Sequence, residues 1–271
     1  DQPPLYLSGL LTGQADYWMK SLSDAHYAQV TELRCSAKKL PRSDLLNDGW
    51  IRQDFDAWSA LWHVSPAGWP PLPGHGHQDC GSFELHFGKD RVIVDPGRGA
   101  YDKSEESVSF YAAGSHNLLT IDGAAPYSDN HPYYDDAFRT QICGSPPRLQ
   151  QSACRLTLDF DGFSRIRSTG TVRREWKFEQ TRVIISDQVE GHRRATLSRH
   201  LHVCLPASIE DAAVILVGNT KCFKISCDNA VPELTSTKIW QAYGKSEPGS
   251  RISFHTAGQL PWTGSMAIEA L

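Results

Sequence analysis

Histidine and aspartate side chains in the first half of the chain are spaced like the ligands of a metal ion. The segment Gly74–Asp79 carries His75 and His77 on either side of one glycine, and Asp95 and His116 follow further along. Two imidazoles and a carboxylate, with a fourth position left for water, form a donor set that suits Zn²⁺. We therefore predict that His77, Asp95 and His116 converge on a metal ion. The glycines at positions 74 and 76 permit one histidine of the pair to bind the metal while the other faces a cleft.

The alternative interpretation of this pattern is chance. The chain has 11 histidines, so a pair separated by one residue is unremarkable, and a second pair occurs at His200 and His202. That pair lies in a predicted strand, where both rings share one face, and indicates cross-strand or surface packing. The metal hypothesis therefore depends on Asp95 and His116 lying next to His77.

A hairpin is expected to position these side chains. Two alternating runs, SFELHF and RVIV, flank the turn residues Gly88–Asp90. In the hairpin that this pattern predicts, Phe87 lies opposite Arg91 and Phe83 lies opposite Asp95. Asp95 is then at the open end of the hairpin, where the histidine loop enters.

Turn residues divide the rest of the chain into short alternating runs that predict strands. These runs are Asn117–Asp122, Arg155–Phe160, Thr171–Phe178, Arg182–Asp187, Thr196–Leu205, Val214–Val217, Cys222–Cys227, Lys238–Tyr243 and Arg251–His255. About ten strands without helical crossovers are typical of an antiparallel β-sandwich. The apolar spacing of Gly13–Val30 predicts a helix instead, and Ser23–Asp24 is suited to cap a second one. We therefore predict a mainly β protein, with a large antiparallel sandwich at residues 46–271 preceded by a short helical segment at residues 1–45.

Composition excludes several classes of protein. The 271 residues are 40% hydrophobic, which is enough for a full core. Lys and Arg number 27 against 31 Asp and Glu, a net charge of −4, so nucleic acid is not an expected partner. No apolar run approaches the roughly 20 residues of a membrane helix, so no membrane span is expected. Because the chain starts at Asp1 without a signal peptide, we expect a mature or truncated product.

The cysteines and the paired arginines carry weaker signals. Seven cysteines without a CxxC pair exclude a zinc-finger framework, and most are expected to be buried thiols, with one or two disulfides left open. Arg173–Arg174 and Arg193–Arg194 are interpreted as solvated strand or turn charge. None of these residues is assigned a function.

Two stretches of the sequence resemble a known family. Gly74–Gly99 (GHGHQDCGSFELHFGKDRVIVDPGRG) and Ser115–Gly123 (SHNLLTIDG) are similar to the patterns HGHxDxxSFxLxxxGxxLLVDPG and HNTVxVDG. These patterns are typical of the C-terminal β-sandwich of heparinase II/III-like polysaccharide lyases, a group that includes alginate lyases. The likeness is close over Asn47–Gly123, with a mild departure at Cys80, and diffuse beyond it. It implies that residues 1–45 are the end of an N-terminal (α/α) toroid, which would be the sandwich's partner.

The resemblance also implies roles for individual residues. His77, Asp95 and His116 match the metal ligands of the family, with Zn²⁺ expected as a structural ion. His75 matches a histidine that several members use in catalysis. Tyr101 matches a tyrosine that commonly reaches the sugar site.

Further side chains are implied in sugar binding. Tyr111 is the nearest match to a second catalytic tyrosine, with aromatic packing at a strand edge as an equal alternative. Arg98 can pair with the carboxylate or sulfate of an acidic polysaccharide substrate. Tryptophans crowd the segment before the histidine loop, and at most one or two are expected to face a sugar while the others pack in the core. These tryptophans are Trp50, Trp58, Trp62 and Trp69.

The implied reaction is β-elimination in a uronic-acid-containing polysaccharide. A base removes the C5 proton, a neighbouring group neutralises the C6 carboxylate, and an acid protonates the leaving O4. His75 is the expected base or neutraliser, and Tyr101 or Tyr111 the expected proton donor. The metal would organise loops, because elimination needs no activated water.

Two other interpretations compete with a lyase. One is a non-catalytic, metal-stabilised sandwich that binds glycan as a scaffold. The other is a metallohydrolase, which is disfavoured because no glutamate accompanies the ligands in an HExxH-like arrangement and Glu84 is a poor substitute. From the resemblance alone, the compartment is expected to be the periplasm or the exterior of a bacterial cell, and activity is expected to need the toroid.

Overall fold

The structure is a computed structural model that describes residues 23–37, 44–47, 49–65, 77–100, 104–128, 135, 137–138, 145–242 and 244–271. Two predicted catalytic residues, His75 and Tyr101, lie outside these ranges, as does Trp69. Most of the predicted helix Gly13–Val30 also lies outside the described residues. The chain divides into two compact units with a boundary between Asp48 and Gly49.

The described part of the first unit is helical. Helix α1 spans Asp24–Ala37 and helix α2 spans Asp44–Asn47. The predicted cap is present, because the hydroxyl of Ser23 accepts a hydrogen bond from the backbone N–H of His26 at 3.4 Å. Among the described helices, none has the length and apolar character needed to cross a membrane.

The second unit is built almost entirely of antiparallel strands, as predicted. In the described residues they form two four-stranded sheets, ordered β1-β2-β3-β4 and β14-β15-β10-β5, and an eight-stranded sheet ordered β11-β12-β13-β16-β9-β8-β7-β6. The strands are β1 Trp50–Phe55, β2 Trp58–His63, β3 Phe83–Phe87, β4 Asp90–Ile93, β5 Leu119–Ile121, β6 Arg148–Ser152, β7 Arg155–Phe160, β8 Thr169–Glu179, β9 Arg182–Gly191, β10 Arg194–Val203, β11 Ala207–Glu210, β12 Ala213–Val217, β13 Cys222–Cys227, β14 Pro232–Ala242, β15 Lys245–Gln259 and β16 Trp262–Ala270. A short helix α3, Glu105–Ser109, interrupts them between β4 and β5.

Aromatic and branched residues at alternating strand positions form the hydrophobic core between the sheets. The indoles of Trp62 on β2 and Trp176 on β8 meet edge to face with centroids 5.7 Å apart, and Phe83 on β3 lies at the same distance from Trp176. The side chains of Trp58, Trp62 and Trp176 are fully buried in one hydrophobic cluster. The eight-stranded sheet therefore packs its inner face on the smaller sheets, as expected for two stacked layers.

The β3–β4 hairpin is present, but the predicted pairing of Phe87 with Arg91 is wrong. A two-residue turn puts Phe87 opposite Asp90, and a bulge then shifts the register so that Leu85 lies opposite Ile93. Continued by two residues in each strand, the register of Leu85 and Ile93 places Phe83 opposite Asp95, which is the pairing that the sequence predicted. The bulge thus brings the chain to the expected position at the open end of the hairpin.

Strands β1 and β2 were not predicted, because their turn lacks the usual signal. Asp56 adopts a φ of 52° where a glycine or asparagine is more common, and no glycine marks the turn before Trp58. Of the tryptophans before the histidine loop, Trp58 and Trp62 are buried on the inward-facing positions of β2, whereas Trp50 on β1 is exposed.

Two expectations about polar residues are wrong. Arg174 was interpreted as solvated, yet it is 2% exposed on the inner face of β8, whereas Arg173 is exposed as predicted. Alternation along the strand separates the two neighbours. Of the five cysteines whose side chains the structure describes, all are free thiols and Cys80 alone is buried, so the expectation that most cysteines are buried is wrong for these five.

Candidate metal centre and cleft wall

A buried asparagine connects the elements that carry the site. The side-chain amide of Asn117 donates to the carbonyls of Phe83 and Val94 at 2.8 and 2.9 Å. Its Oδ1 accepts from the backbone N–H of His202 at 2.7 Å. Asn117 thus joins β3, the chain after β4, and β10, and it fixes the position of His116, its neighbour in sequence.

His116 is held by Asp95, the carboxylate at the mouth of the hairpin. The Nδ1 atom of His116 lies 2.8 Å from Oδ2 of Asp95, and Oδ1 of Asp95 accepts from the backbone N–H of Gly97 at 2.9 Å. Burial raises the pKa of Asp95, but the imidazole and the hydrogen bonds outweigh it and bring the pKa to about 2. Burial likewise lowers the pKa of His116, and the Asp95 carboxylate reverses this effect, so the net pKa is raised.

The other ring nitrogen of His116 has no hydrogen-bond partner. His116 is completely buried, and its Nε2 is among the buried polar atoms without a partner. The carbonyl of Phe110 is close enough to favour a protonated ring but makes no aligned hydrogen bond with it. Since an unpaired buried nitrogen is costly, this atom needs a further partner.

The donor set around the His116 ring fits a metal ion. Ligand atoms of His77, Asp79 and His116 all lie within 4.8 Å of one another. The arrangement in which Asp95 orients His116 from behind is the carboxylate–histidine pair that supports many zinc ligands. Asp79 was not among the predicted ligands, and Asp95 as a direct ligand stays a prediction, because its contact in this structure is with Nδ1 of His116.

Tyr111 and Arg98 lie next to His77, so the structure brings these predicted residues together. The rings of His77 and Tyr111 meet edge to face with centroids 5.1 Å apart. The guanidinium of Arg98 lies 4.0 Å above the centre of the Tyr111 ring. Burial, and to a lesser extent the proximity of His116, lowers the pKa of His77. A neutral imidazole is the form that binds metal.

A shallow pocket of about 120 Å³ opens beside Asp79 and Asp95. Trp50 and His63 line it with their ring centroids 4.7 Å apart, and Nδ1 of His63 lies 3.0 Å from Oδ1 of Asp79. Glu84 also lines the pocket, and burial, reinforced by the charge of Asp95, raises its pKa to about 7. Sequence reasoning missed Asp79 and His63, although Asp79 lies only two residues after His77.

The second histidine pair has the cross-strand role that was expected. His200 and His202 are both buried on one face of β10. Nδ1 of His200 lies 3.0 Å from the hydroxyl of Ser253 on β15, and Nδ1 of His202 lies 3.2 Å from Oδ1 of Asn117. Burial lowers the pKa of His200 to about 4 and that of His202 to about 3, so both rings are neutral.

These features define a class of domain: an antiparallel β-sandwich that carries a histidine–carboxylate cluster at the open end of a hairpin. A family model described as "Heparinase II/III-like, C-terminal" matches residues 37–263. The chain therefore belongs to the family of heparinase II/III-like C-terminal domains. No curated protein matches it by sequence.

Solved structures show the same fold. A heparan sulfate lyase mutant from Pedobacter heparinus superposes with a TM-score of 0.61 at 16% identity, covering 82% of this chain and 34% of that one. Another structure, titled heparinase III, gives a TM-score of 0.61 at 12% identity over 82% of this chain and 35% of the other. The chain thus spans about a third of the length of these proteins.

Proposed function

We propose that this chain is the sandwich part of a polysaccharide lyase that cleaves a uronic-acid-containing polysaccharide by β-elimination. The observation that carries the proposal is the grouping of Tyr111 and Arg98 beside His77, whose ring centroid lies 5.3 Å from that of His116. The family membership supports the same class of activity. Periplasmic or secreted location, and an N-terminal (α/α) toroid as the second wall of the cleft, are part of the proposal.

The proposed site separates structural from catalytic residues. His77, Asp79 and His116 face a Zn²⁺ ion, and Asp95 either joins them or orients His116 through Nδ1. The ion, when bound, supplies a fixed positive charge that holds the histidine loop against the hairpin. His75, two residues before the ligand His77, is then carried toward the cleft.

The proposed elimination uses side chains as base, neutraliser and acid. His75 removes the C5 proton or neutralises the C6 carboxylate, and the electron pair of the broken C–H bond forms the C4–C5 double bond as the C4–O4 bond breaks. Tyr101 or Tyr111 gives the leaving oxygen its proton. Arg98, stacked on the ring of Tyr111, both positions that ring and offers a cation to an acidic sugar.

The metal part of the proposal is tested by elemental mass spectrometry of the purified chain. Zinc near one equivalent is expected, with loss in His77→Ala and retention in His86→Ala, a half-buried histidine on β3 outside the cluster. Asp79→Asn and Asp95→Asn separate the two carboxylates, because a direct ligand should cost more zinc than an orienting group. Absence of metal from both the wild-type chain and His86→Ala would overturn the metal assignment.

The lyase part is tested by incubating the chain with alginate, heparan-type and bacterial exopolysaccharide substrates. The assay is the ultraviolet absorbance of the unsaturated uronate product, for the chain alone and for the longest product of its gene. We expect product from the longer protein and a strong loss in Tyr111→Phe. Glycan binding without any unsaturated product from either protein would instead support a non-catalytic scaffold.

A further inference from the structure

Two buried arginines share one carboxylate inside the sandwich, away from the metal centre. Arg174 on β8 and Arg199 on β10 are each 2% exposed, and Asp187 on β9 is completely buried. Oδ2 of Asp187 accepts from Nε of Arg199 at 2.7 Å, and Oδ1 lies 3.3 Å from Nε of Arg174. The carboxylate therefore links the two layers of the sandwich.

Most of the remaining guanidinium donors have no acceptor. Nη1 of Arg199 reaches the sulfur of Cys227 at 3.2 Å, but Nη2 of Arg199 has no hydrogen-bond partner. Neither terminal nitrogen of Arg174 has one, nor does the indole nitrogen of the adjacent inward-facing residue Trp176. Native interiors rarely leave so many donors unpaired in one place. Oδ1 of Asp187 and Nε of Arg174 also make no aligned hydrogen bond, but they lie 3.3 Å apart as an ion pair. The other unpaired atoms of the cluster are all N–H groups, so the missing partner is a hydrogen-bond acceptor.

The charges in this cluster do not balance either. Arginine keeps its proton in proteins, so two guanidiniums against one carboxylate leave a net charge of +1. Within the described residues, Asp187 is the one carboxylate in an ion pair with either arginine. The guanidinium of Arg174 also lies 5.4 Å from the centre of the Trp176 ring and 6.0 Å from that of Phe83. These ring faces offset part of the charge but accept no hydrogen bond along the ring plane.

We propose that a small monovalent anion of the halide class binds between Arg174 and Arg199 inside the sandwich. The anion would complete the charge balance and accept from the unpaired N–H groups, and it would join β8 to β10 in the way that Asp187 joins β9 to β10. This site is independent of the proposed lyase activity. It contributes stability to the folded chain, because the unfolded chain has no equivalent set of donors.

Thermal unfolding in sodium chloride against sodium gluconate, at matched ionic strength, tests the proposal. Gluconate is a much larger monovalent anion than chloride and serves as the comparison that is not expected to bind. In the wild-type chain we expect a saturable rise in Tm with chloride, about 5 °C at roughly 100 times the dissociation constant. The rise should disappear in Arg174→Met. It should persist in Arg173→Met, which alters the exposed neighbour that binds Asp159 on the opposite face.

A second measurement needs no variant and covers the case in which Arg174→Met does not fold. Crystals of the wild-type chain grown in sodium bromide should show an anomalous peak within hydrogen-bond distance of Arg174 and Arg199. Water molecules at those positions, or identical melting curves in chloride and gluconate, would overturn the proposal. An equal chloride response in Arg173→Met and Arg174→Met would also overturn it.

Discussion

Two aspartates at opposite ends of strand β4 have similar pKa values and very different surroundings. Asp90 begins the strand, and Asp95 follows its end by two residues. The pKa of each lies at about 2, lowered at Asp90 chiefly by the hydroxyl of Thr220 and at Asp95 by His116 against the effect of burial. The same low pKa therefore arises in a closed structural contact and in an open site.

Asp90 is fully satisfied by the turn before β13. Its Oδ1 accepts from the backbone and side-chain N–H groups of Asn219 at 2.7 and 2.9 Å. Its Oδ2 accepts from the backbone N–H of Thr220 at 3.1 Å and from its hydroxyl at 2.5 Å. This carboxylate clamps the β3–β4 hairpin to the eight-stranded sheet, and no donor in the contact is left over.

Asp95, by contrast, contacts only one of the two ring nitrogens of its partner, His116. It holds Nδ1 of His116 and leaves Nε2 buried without a hydrogen-bond partner, in a cluster where ligand atoms of His77, Asp79 and His116 lie within 4.8 Å of one another. The two contacts therefore differ in the partner's remaining atoms, which are all paired at Asp90 and unpaired at His116, and the pKa of the carboxylate does not distinguish them.

The largest expected effect is a loss of zinc affinity at the contact between Asp95 and His116. His116→Ala should weaken zinc binding by more than about 100-fold, because it removes the ligand nitrogen itself. Competition with a chromophoric zinc chelator measures the affinity. His192→Ala, in an exposed turn, is the matched control and should bind zinc as the wild type does. Equal affinities for all three proteins would remove His116 from the metal centre.

The contact of Asp90 with Asn219 and Thr220 should affect the stability of the folded chain and not its zinc affinity. Asp90→Ala leaves the N–H groups of Asn219 and Thr220 without their acceptor and should lower the free energy of unfolding by about 3 kcal/mol. Urea denaturation measures this loss, with the exposed neighbour Lys89→Ala as a control that should change little. Zinc affinity should be unchanged in both variants, so an Asp90→Ala protein with weakened zinc binding would contradict the separation of the two contacts.

An intermediate effect is expected at Asp95 if it orients rather than ligates. Asp95→Asn preserves the size of the side chain but removes the charge behind His116, and supporting groups of this kind are worth about 10–100-fold in metal affinity. The same chelator competition measures it. A loss as large as that of His116→Ala would instead make Asp95 a direct ligand, as the sequence alone predicted.

The smallest effect is the pH dependence contributed by Asp90. Because its pKa is lower in the folded chain than the usual value near 4, the contribution to stability is complete above about pH 4 and is lost as the pH falls toward 2. Unfolding free energies of wild type and Asp90→Asn should therefore converge over this range, since the asparagine does not titrate. A difference that stays constant from pH 5 to pH 2 would contradict this origin of the stability.

Several parts of the fold could be predicted because their signals are local. Alternating apolar residues and the turn residues Gly88–Asp90 predicted the β3–β4 hairpin, and the cap at Ser23 predicted the start of α1. Strands β1 and β2 were missed because their turn relies on Asp56 at positive φ rather than on glycine. The pairing at Phe87 was wrong because a bulge is invisible in a simple alternating pattern.

The candidate site shows the same division. Sequence spacing and family likeness indicated His77, Asp95, His116, Arg98 and Tyr111, and the structure brings these side chains close together. The spacing did not indicate Asp79 as a candidate ligand or Asn117 as the residue that joins three elements. Both roles depend on contacts with residues distant in sequence.

The sequence by itself determined the class of domain and the types of side chain available for chemistry. Periodicity sets which residues face inward, and loop composition sets where polar groups can gather, and both are properties of neighbouring residues. Only the tertiary structure decided that Asp95 occupies one nitrogen of His116 and leaves the other open, and that Arg174 is buried beside Asp187 while Arg173 is in solvent. Such outcomes depend on which strands meet across the sandwich, and that pairing results from packing of the whole core rather than from any local pattern.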